Sequence, residues 1–276
     1  MTSTSLPFTK GHGTQNDFVL VPDPHGALDL TQAQVRFLAD RHAGIGGDGV
    51  IRVVPTALAD DEEVRDQASQ ARWFMDYRNS DGSPAEMCGN GTRVFAAYLR
   101  REGLEQDDRF AIATRGGVKT VSLTGDGYGV DLGPWRVVDP AGARRRGFDA
   151  TVRAYGGPEL PALRVDLGNP HTVVVLPPQI DLDALDLTRA PEVSPSPEEG
   201  TNVEFVRAVG PGHIAMRVHE RGVGETRSCG TGAAAAALAV RWWEAEVDDA
   251  LDAASLDAAT WVVDVPGGRL TVTALP

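Results

Sequence analysis

The sequence predicts an α+β chain of two pseudo-symmetric domains, each a mostly antiparallel, strongly curved sheet wrapped around one helix. Three observations carry this. Cys88-Gly89-Asn90-Gly91 and Cys229-Gly230-Thr231-Gly232 are near-copies, and each runs into an apolar, helix-like stretch. The strands around them repeat: Asn16 ahead of Phe18-Val19-Leu20-Val21 parallels Asn169 ahead of His171-Thr172-Val173-Val174, 153 positions on, and Gly49-Val50-Ile51 parallels Asn202-Val203-Glu204 at the same spacing. Finally, the short runs Phe110 to Thr114, Val118 to Leu123 and Tyr128 to Leu132 are punctuated by Gly and Asp, the pattern of an antiparallel meander. The two cysteines are 141 positions apart rather than 153, which places an insertion of 12 residues in the first half, most simply within 55–70.

Taken in order, Gly11 to Asp17 reads as a polar loop leading into a strand at Phe18 to Val21. Thr31 to Arg41 has the spacing of an amphipathic helix, with Thr31 as N-cap and Val35, Leu38 and Ala39 on one face. The Gly-rich run Arg41 to Ile51 follows a helix and enters a strand, the reverse of a dinucleotide fingerprint, and lacks the Gly-Lys-Ser/Thr of a phosphate loop. Residues 55–70 read as an exposed acidic loop, Ala71 to Tyr77 as a strand, and Arg78 to Pro84 as a turn. A helix is predicted from about Asn90 to Arg101, with Val94, Phe95, Tyr98 and Leu99 as its apolar stripe and Gly103 as its stop.

Gly133-Pro134 through Gly157-Pro158 is rich in Gly, Pro and Arg, which divides the chain into 1–133, carrying Cys88, and 134–276, carrying Cys229. Strands are predicted at Leu163 to Leu167, Thr172 to Leu176, Asn202 to Val206 and Ile214 to Val218, with Pro177 to Gly200 mostly loop. An Ala-rich helix from Ala233 to about Trp243, an acidic helix-tolerant stretch at 244–258 and a hairpin over Trp261 to Thr273 complete the chain.

The whole-chain balance narrows the function. With 276 residues the chain can bury a large core without disulfide or metal. A net charge of −13 argues against nucleic acid or an anionic membrane surface as partner. Met1 to Pro7 has neither the basic nor the apolar region of a secretory signal, and no apolar run approaches the ~20 residues of a membrane helix, so a cytoplasmic location is expected. Two cysteines in a reducing compartment point to chemistry or burial rather than a bridge.

A cysteine at a helix N-terminus has its thiolate stabilised by the dipole and by unpaired N–H groups, which brings it toward general-base duty. The glycines after each thiol let the N–H groups of Gly89, Asn90, Gly230 and Thr231 approach an anion such as a carboxylate. Two such ends sharing one substrate predict removal of an α-proton by one sulfur and its return from the opposite side by the other, with inversion and no electron-sink cofactor. A nucleophilic-hydrolase reading gives no reason for two equivalent thiols.

With these residues in place the chain resembles the diaminopimelate epimerase family over nearly its whole length. The resemblance is carried by Asn16-Asp17-Phe18, Asp40-Arg41-His42 with Gly44-Ile45-Gly46, Asn79-Ser80-Asp81-Gly82-Ser83, Met87 to Gly91, Gly168-Asn169-Pro170-His171, Asn202-Val203, Glu220 to Thr226 and Ser228 to Gly232. It implies interconversion of LL- and meso-2,6-diaminopimelate without cofactor or metal, in lysine and peptidoglycan precursor synthesis, on a barrel-like fold that forms homodimers. It makes Cys88 and Cys229 the acid–base pair, and Gly89, Asn90, Gly230 and Thr231 the holders of the reacting carboxylate. Asn16, Asn79, Asn169, Asn202, Glu220 and Arg221 bind the other amino and carboxylate groups, with His171 near the site. Two departures stand out. Some family members carry Gln at the position of Gly49, so one substrate contact is missing here or passes to water. The family also commonly continues for one or two strands beyond the final hairpin, so the resemblance implies a different closure of that edge or a shortened chain. The alternatives are a proline racemase-like isomerase of the same fold, and a redox or amino-acid-binding protein without turnover.

Overall fold

The computed structural model describes residues 5–125, 127–247 and 259–275. The chain forms two compact units, Met1–Leu132 and Gly133–Pro276.

The first unit is ordered β1 (Thr9–Gly13), β2 (Asn16–Pro22), α1 (Gln32–Ala39), β3 (Gly49–Pro55), α2 (Glu62–Arg65), β4 (Trp73–Asn79), α3 (Gly89–Arg101), β5 (Arg109–Ala113), β6 (Lys119–Thr124) and β7 (Gly127–Val130). Its seven strands, counted among the described residues, lie in sequence order in one sheet. β2–β3 and β4–β5 pair parallel and the other four pairs antiparallel. Helix α3 lies against β1, β2, β3, β4, β6 and β7, strands from both ends of the sheet, so the sheet curls around it. Alternate residues make this possible. Phe18, Leu20, Ile51, Val53, Trp73, Met75 and Tyr77 share one apolar cluster with Val94, Phe95, Tyr98 and Leu99 of α3. The other face of β2 and β3 (Val19, Val21, Val50) is covered by Val35, Leu38 and Ala39 of α1. That helix starts at Thr31, whose hydroxyl accepts from the Gln34 N–H while the Gln34 side chain accepts from the Thr31 N–H.

Two expectations for this unit need correction. The stretch Gly11 to Asp17 is not a loop: β1 pairs with β2 in a hairpin whose turn residues, Thr14 and Gln15, both have positive φ (48° and 62°). Such turns normally advertise themselves through Asn-Gly or Asp-Gly, and neither is present. Residues 55–70 are not an exposed loop either. They form 3-10 turns at Thr56–Leu58 and Asp66–Ser69 on either side of α2. Ala59 and Val64 pack with Val54, Ala71, Phe74 and Ala113 on the face of the sheet away from α3. Two small apolar residues among many acids gave little sequence signal, yet they bury the second face of β4.

The second unit is ordered β8 (Arg136–Val137), α4 (Pro140–Arg146), β9 (Ala150–Arg153), β10 (Glu159–Asp166), β11 (Pro170–Val175), β12 (Glu192–Ser194), β13 (Asn202–Gly210), β14 (His213–Glu220), β15 (Gly224–Thr226), α5 (Gly230–Val247), β16 (Ala259–Val265) and β17 (Gly268–Ala274). Its sheet runs β12-β9-β10-β11-β13-β14-β16-β17, with β15 added on β14 and β8 on β10. β11–β13 and β14–β16 are parallel. Helix α5 lies against β10, β11, β13, β14, β16 and β17, and Ala233, Ala235, Ala236 and Ala239 are fully buried in that enclosure. The Gly-, Pro- and Arg-rich stretch 133–158, read from sequence as the domain boundary, is itself structured. It holds β8, β9 and α4, which Asp139 caps and Gly147 ends at φ 81°. Pro177 to Gly200 is mostly irregular but anchors Leu182 and Leu187 in a cluster with Val152, Val174 and Phe205. Of the acidic stretch 244–258, residues 248–258 lie outside the described residues. Among the described residues no helix is long and apolar enough to cross a membrane.

The repeat holds at the level of register. Phe18 pairs with Gly49 across β2 and β3, and His171 pairs with Asn202 across β11 and β13, both partners displaced by the same 153 positions.

Candidate active site

Cys88 and Cys229 head their helices in the same way. The Cys88 sulfur accepts the Gly91 N–H at 3.4 Å, and the Cys229 sulfur accepts the Gly232 N–H at 3.3 Å. The first intrahelical bonds also correspond, Thr92 N–H to Cys88 O and Ala233 N–H to Cys229 O. Each sulfur therefore takes the place of a capping oxygen, at the positive end of the helix dipole.

Around Cys88, Sγ–H donates to Asn16 Oδ1 at 3.5 Å, and Asn90 Nδ2 donates to the same oxygen at 3.3 Å. Asn16 is oriented by donating Nδ2 to Asp48 at 2.7 Å. Arg41 bridges Asp48 and Asp17. Burial works to raise the Asp17 carboxyl, but hydrogen bonds from Arg41 and Lys10 overcome it and hold the group at about 2. Asn90 is fixed on its other side by Arg93, which donates to Asn90 Oδ1 at 2.6 Å and to Thr14 Oγ1 at 3.3 Å. Burial lowers the Arg93 guanidinium, and the charge of Cys88 opposes that shift.

Around Cys229, Sγ lies 3.5 Å from Thr231 Oγ1, which accepts from Asn169 Nδ2 at 3.2 Å. Burial pushes the Cys229 thiol well above its ordinary range, and the nearby Glu220 and Glu204 carboxylates push it further. Glu220 is itself raised by burial, against the pull of its hydrogen bond from Thr226. His171 Nδ1 is 2.7 Å from Glu204 Oε1, and both side chains are fully buried.

The remaining residues singled out from sequence fall at strand ends. Gly49 pairs with Asn79 where β3 meets β4, next to Phe18 of β2. Asn79 Nδ2 donates to Ser83 Oγ at 3.1 Å, closing its turn. A Cβ at Gly49 would lie 2.5 Å from the Tyr77 ring and 2.6 Å from Arg78 O, so protein atoms occupy the start of any side chain there. Asn202 Nδ2 donates to Pro170 O, and Asn202 Oδ1 accepts the Arg221 N–H at 2.9 Å. The Arg221 guanidinium donates to Glu199 O at 3.1 Å and stays partly exposed. Gly89 and Asn90 open α3, as Gly230 and Thr231 open α5. The structure thus gathers Asn16, Cys88, Gly89 and Asn90 in one unit, with Gly49 and Asn79 on adjoining strand ends. In the other it gathers Asn169, His171, Asn202, Glu220, Arg221, Cys229, Gly230 and Thr231.

The diaminopimelate epimerase family model matches residues 8–138 and 163–275, which includes every one of these positions. The chain belongs to the diaminopimelate epimerase family. Among its relatives are the diaminopimelate epimerases of Streptomyces coelicolor, 52% identical over 99% of this chain and 90% of the relative, and of Thermobifida fusca, 46% identical over 97% and 90%. The chain is accordingly an isomerase of the epimerase class. Solved structures with the same fold include a hydroxyproline epimerase from Agrobacterium vitis (TM-score 0.58, 15% identity, 96% of this chain and 83% of that one). A phenazine biosynthesis protein of the PhzF family from Bacillus anthracis also shares it (TM-score 0.56, 16% identity, 97% and 89%).

Several residues of this epimerase that shape the site were not singled out from sequence. Thr14, Asp48 and Arg93 hold the Asn16–Asn90 pair beside Cys88. Thr226 holds Glu220, and Glu204 stands beside Cys229. For Glu204 a signal existed: the 153-residue repeat sets it opposite Ile51, a carboxylate where the first half has hydrocarbon.

Proposed function

We propose that this epimerase interconverts LL- and meso-2,6-diaminopimelate by two-base proton transfer, with one substrate meeting both thiols. The observation that carries the reading is the matched pair of sulfur-capped helices. Each thiol has a backbone N–H to stabilise its anion, and each is followed by a glycine whose missing side chain lets a carboxylate approach the helix N-terminus. Cys88 suits the starting base: as a thiol it donates to Asn16 Oδ1, and as a thiolate it keeps the Gly91 N–H and the helix dipole. Cys229, held protonated by burial and by Glu220 and Glu204, suits the starting acid. Cys88 takes the α-proton as the C–H bond breaks, and the electron pair passes into the substrate carboxylate. The N–H groups of Gly89, Asn90, Gly230 and Thr231 stabilise that charge. Cys229 then gives its proton to the opposite face of the carbon, leaving Cys229 as thiolate and Cys88 as thiol. The reverse reaction exchanges the roles.

Asn16, Asn79, Asn169, Asn202 and Glu220 take the remaining amino and carboxylate groups. Arg221 pairs with the distal carboxylate through its planar fork. In this reading the enzyme needs no cofactor, works in the cytoplasm as a homodimer, and serves lysine and peptidoglycan precursor synthesis. The test is turnover. The purified protein, offered LL-diaminopimelate, L-proline and trans-4-hydroxy-L-proline separately, should convert the first alone, as read by chiral chromatography. Cys88→Ser and Cys229→Ser should each lower kcat by about 10²–10⁴-fold while retaining substrate binding by calorimetry. Racemisation of proline, or full activity in both serine variants, would refute the reading.

A further inference from the structure

The pair His171 and Glu204 occupies two positions that the first unit fills with hydrocarbon. His171 in β11 and Glu204 in β13 lie on neighbouring parallel strands, and their counterparts 153 positions earlier are Phe18 in β2 and Ile51 in β3. All four are buried to within 1% of full enclosure. Phe18 and Ile51 in the first unit and Glu204 in the second border the third residue of a Cys-headed helix. Phe18 Cζ and Ile51 Cδ1 are 3.4 and 3.5 Å from the Cβ position of Gly91, and Glu204 Oε1 is 2.7 Å from that of Gly232. The fold can therefore close this spot with apolar side chains. A buried ionisable pair confers no general stability advantage over well-packed hydrocarbon, so packing does not account for it.

The geometry of the pair is lopsided. His171 Nδ1 and Glu204 Oε1 satisfy each other at 2.7 Å, whereas His171 Nε2 and Glu204 Oε2 are buried without a hydrogen-bond partner among the described residues. Buried polar atoms almost always have partners, so two orphans on one pair mark a place that a ligand completes. The groups facing it are those of the thiol site: Cys229, Glu220 and the turn at Gly232.

We propose that Glu204 is a positioning residue for the epimerisation: by accepting the Nδ1–H of His171 it fixes the ring so that Nε2 meets the substrate held at Cys229. This rests on the reaction assigned above. Beside its charge at Cys229, Glu204 acts through the imidazole, selecting which ring nitrogen carries the proton and holding the plane of the ring. The missing side chain of Gly232 leaves room for the Glu204 carboxylate, which would lie 2.7 Å from a Cβ there.

The test places the residues of the first half in the second, in the full chain. In Glu204→Ile, kcat should fall about 10–100-fold, as when an outer partner of a functional imidazole is removed, with KM changed less than about threefold. Glu204→Gln, which keeps an acceptor, should recover part of that loss. In ligand-free protein with labelled histidine, NMR should show a low-field Nδ1 proton for His171 that disappears in Glu204→Ile. The double variant His171→Phe, Glu204→Ile should melt no lower than wild type and be inactive. A Glu204→Ile enzyme with kcat within twofold of wild type, or with the low-field proton unchanged, would overturn the proposal. So would a loss of kcat that follows the folded fraction in every variant. If the wild type fails to epimerise diaminopimelate, the assigned reaction falls and this role with it, whereas the proton signal reports the His171–Glu204 contact independently of substrate.

Discussion

Cys88 and Cys229 share one cap geometry in unlike surroundings. Cys88 is half-buried and borders amides and a guanidinium; Cys229 is buried and borders two carboxylates. Thiolates, not thiols, are alkylated, and access adds to the difference. Limited iodoacetamide treatment of the ligand-free protein at pH 8 should therefore modify Cys88 at least about tenfold faster than Cys229, as read by peptide mass spectrometry. Because burial and the carboxylates raise the Cys229 thiol, its labelling should climb only as pH rises beyond the ordinary thiol range near 8.5. Equal rates at pH 8 would show that the two sulfurs do not differ as described. At this scale the sequence was most informative where chemistry is written in residue type, as with Cys88, Cys229 and the glycines after them. It was silent where a role comes from orientation alone. Arg93 is one surface-type residue among many until the α3 geometry turns it onto Asn90 and Thr14.

Elements were legible where period and caps agree and illegible where tertiary cover decides. Helix α3 shows its apolar stripe and its stop in the sequence, and α1 shows its cap. Strand β4 reads from sequence simply as a strand but is buried on both faces, because α2 and its flanking turns cover Phe74. The same face carries an ion cluster with a buried centre and an exposed carboxylate, Asp60, at its rim. Arg52 is fully buried and donates to Asp76 at 2.9 Å and to Asp60 at 2.6 Å, and Asp76 also receives Arg115 at 2.7 Å and Arg78 at 3.3 Å. Burial works to raise Asp76, and Arg115 and Arg78 outweigh it, so its carboxyl sits below the usual range. A lowered folded-state value means the carboxylate stabilises the fold above the unfolded value near 3.9 and loses that contribution as pH falls below it. Asp76→Asn takes the shared buried carboxylate from Arg52, Arg78 and Arg115 at once, so the urea transition of the first unit should lose about 3–5 kcal/mol at pH 7. Its stability should also fall less between pH 5 and 3 than that of wild type. A loss below about 1 kcal/mol would mean that the cluster is solvated and carries little.

For the molecule as a whole, the internal repeat was the strongest signal in the sequence, because two halves of one fold must keep the same register. The pairs Phe18–Gly49 and His171–Asn202 are that register made visible. The chemistry lies in departures from it. Ile51 becomes Glu204, Phe18 becomes His171, Asn79 becomes Glu220 and Gly49 becomes Asn202, so like helices present unlike surroundings. What the repeat could not supply is the added material of the second unit: β8, β9 and α4 have no counterpart among the described residues before Thr9, and their Gly-, Pro- and Arg-rich stretch reads only as a domain boundary. Isotope exchange tests the central claim, proton transfer between two thiols, most directly. LL-diaminopimelate incubated with the enzyme in deuterium oxide and sampled at low conversion should give meso product carrying one deuterium at the inverted carbon, while recovered LL substrate carries none. Meso product that keeps its original hydrogen, or equal labelling of both isomers from the start, would contradict the two-base account.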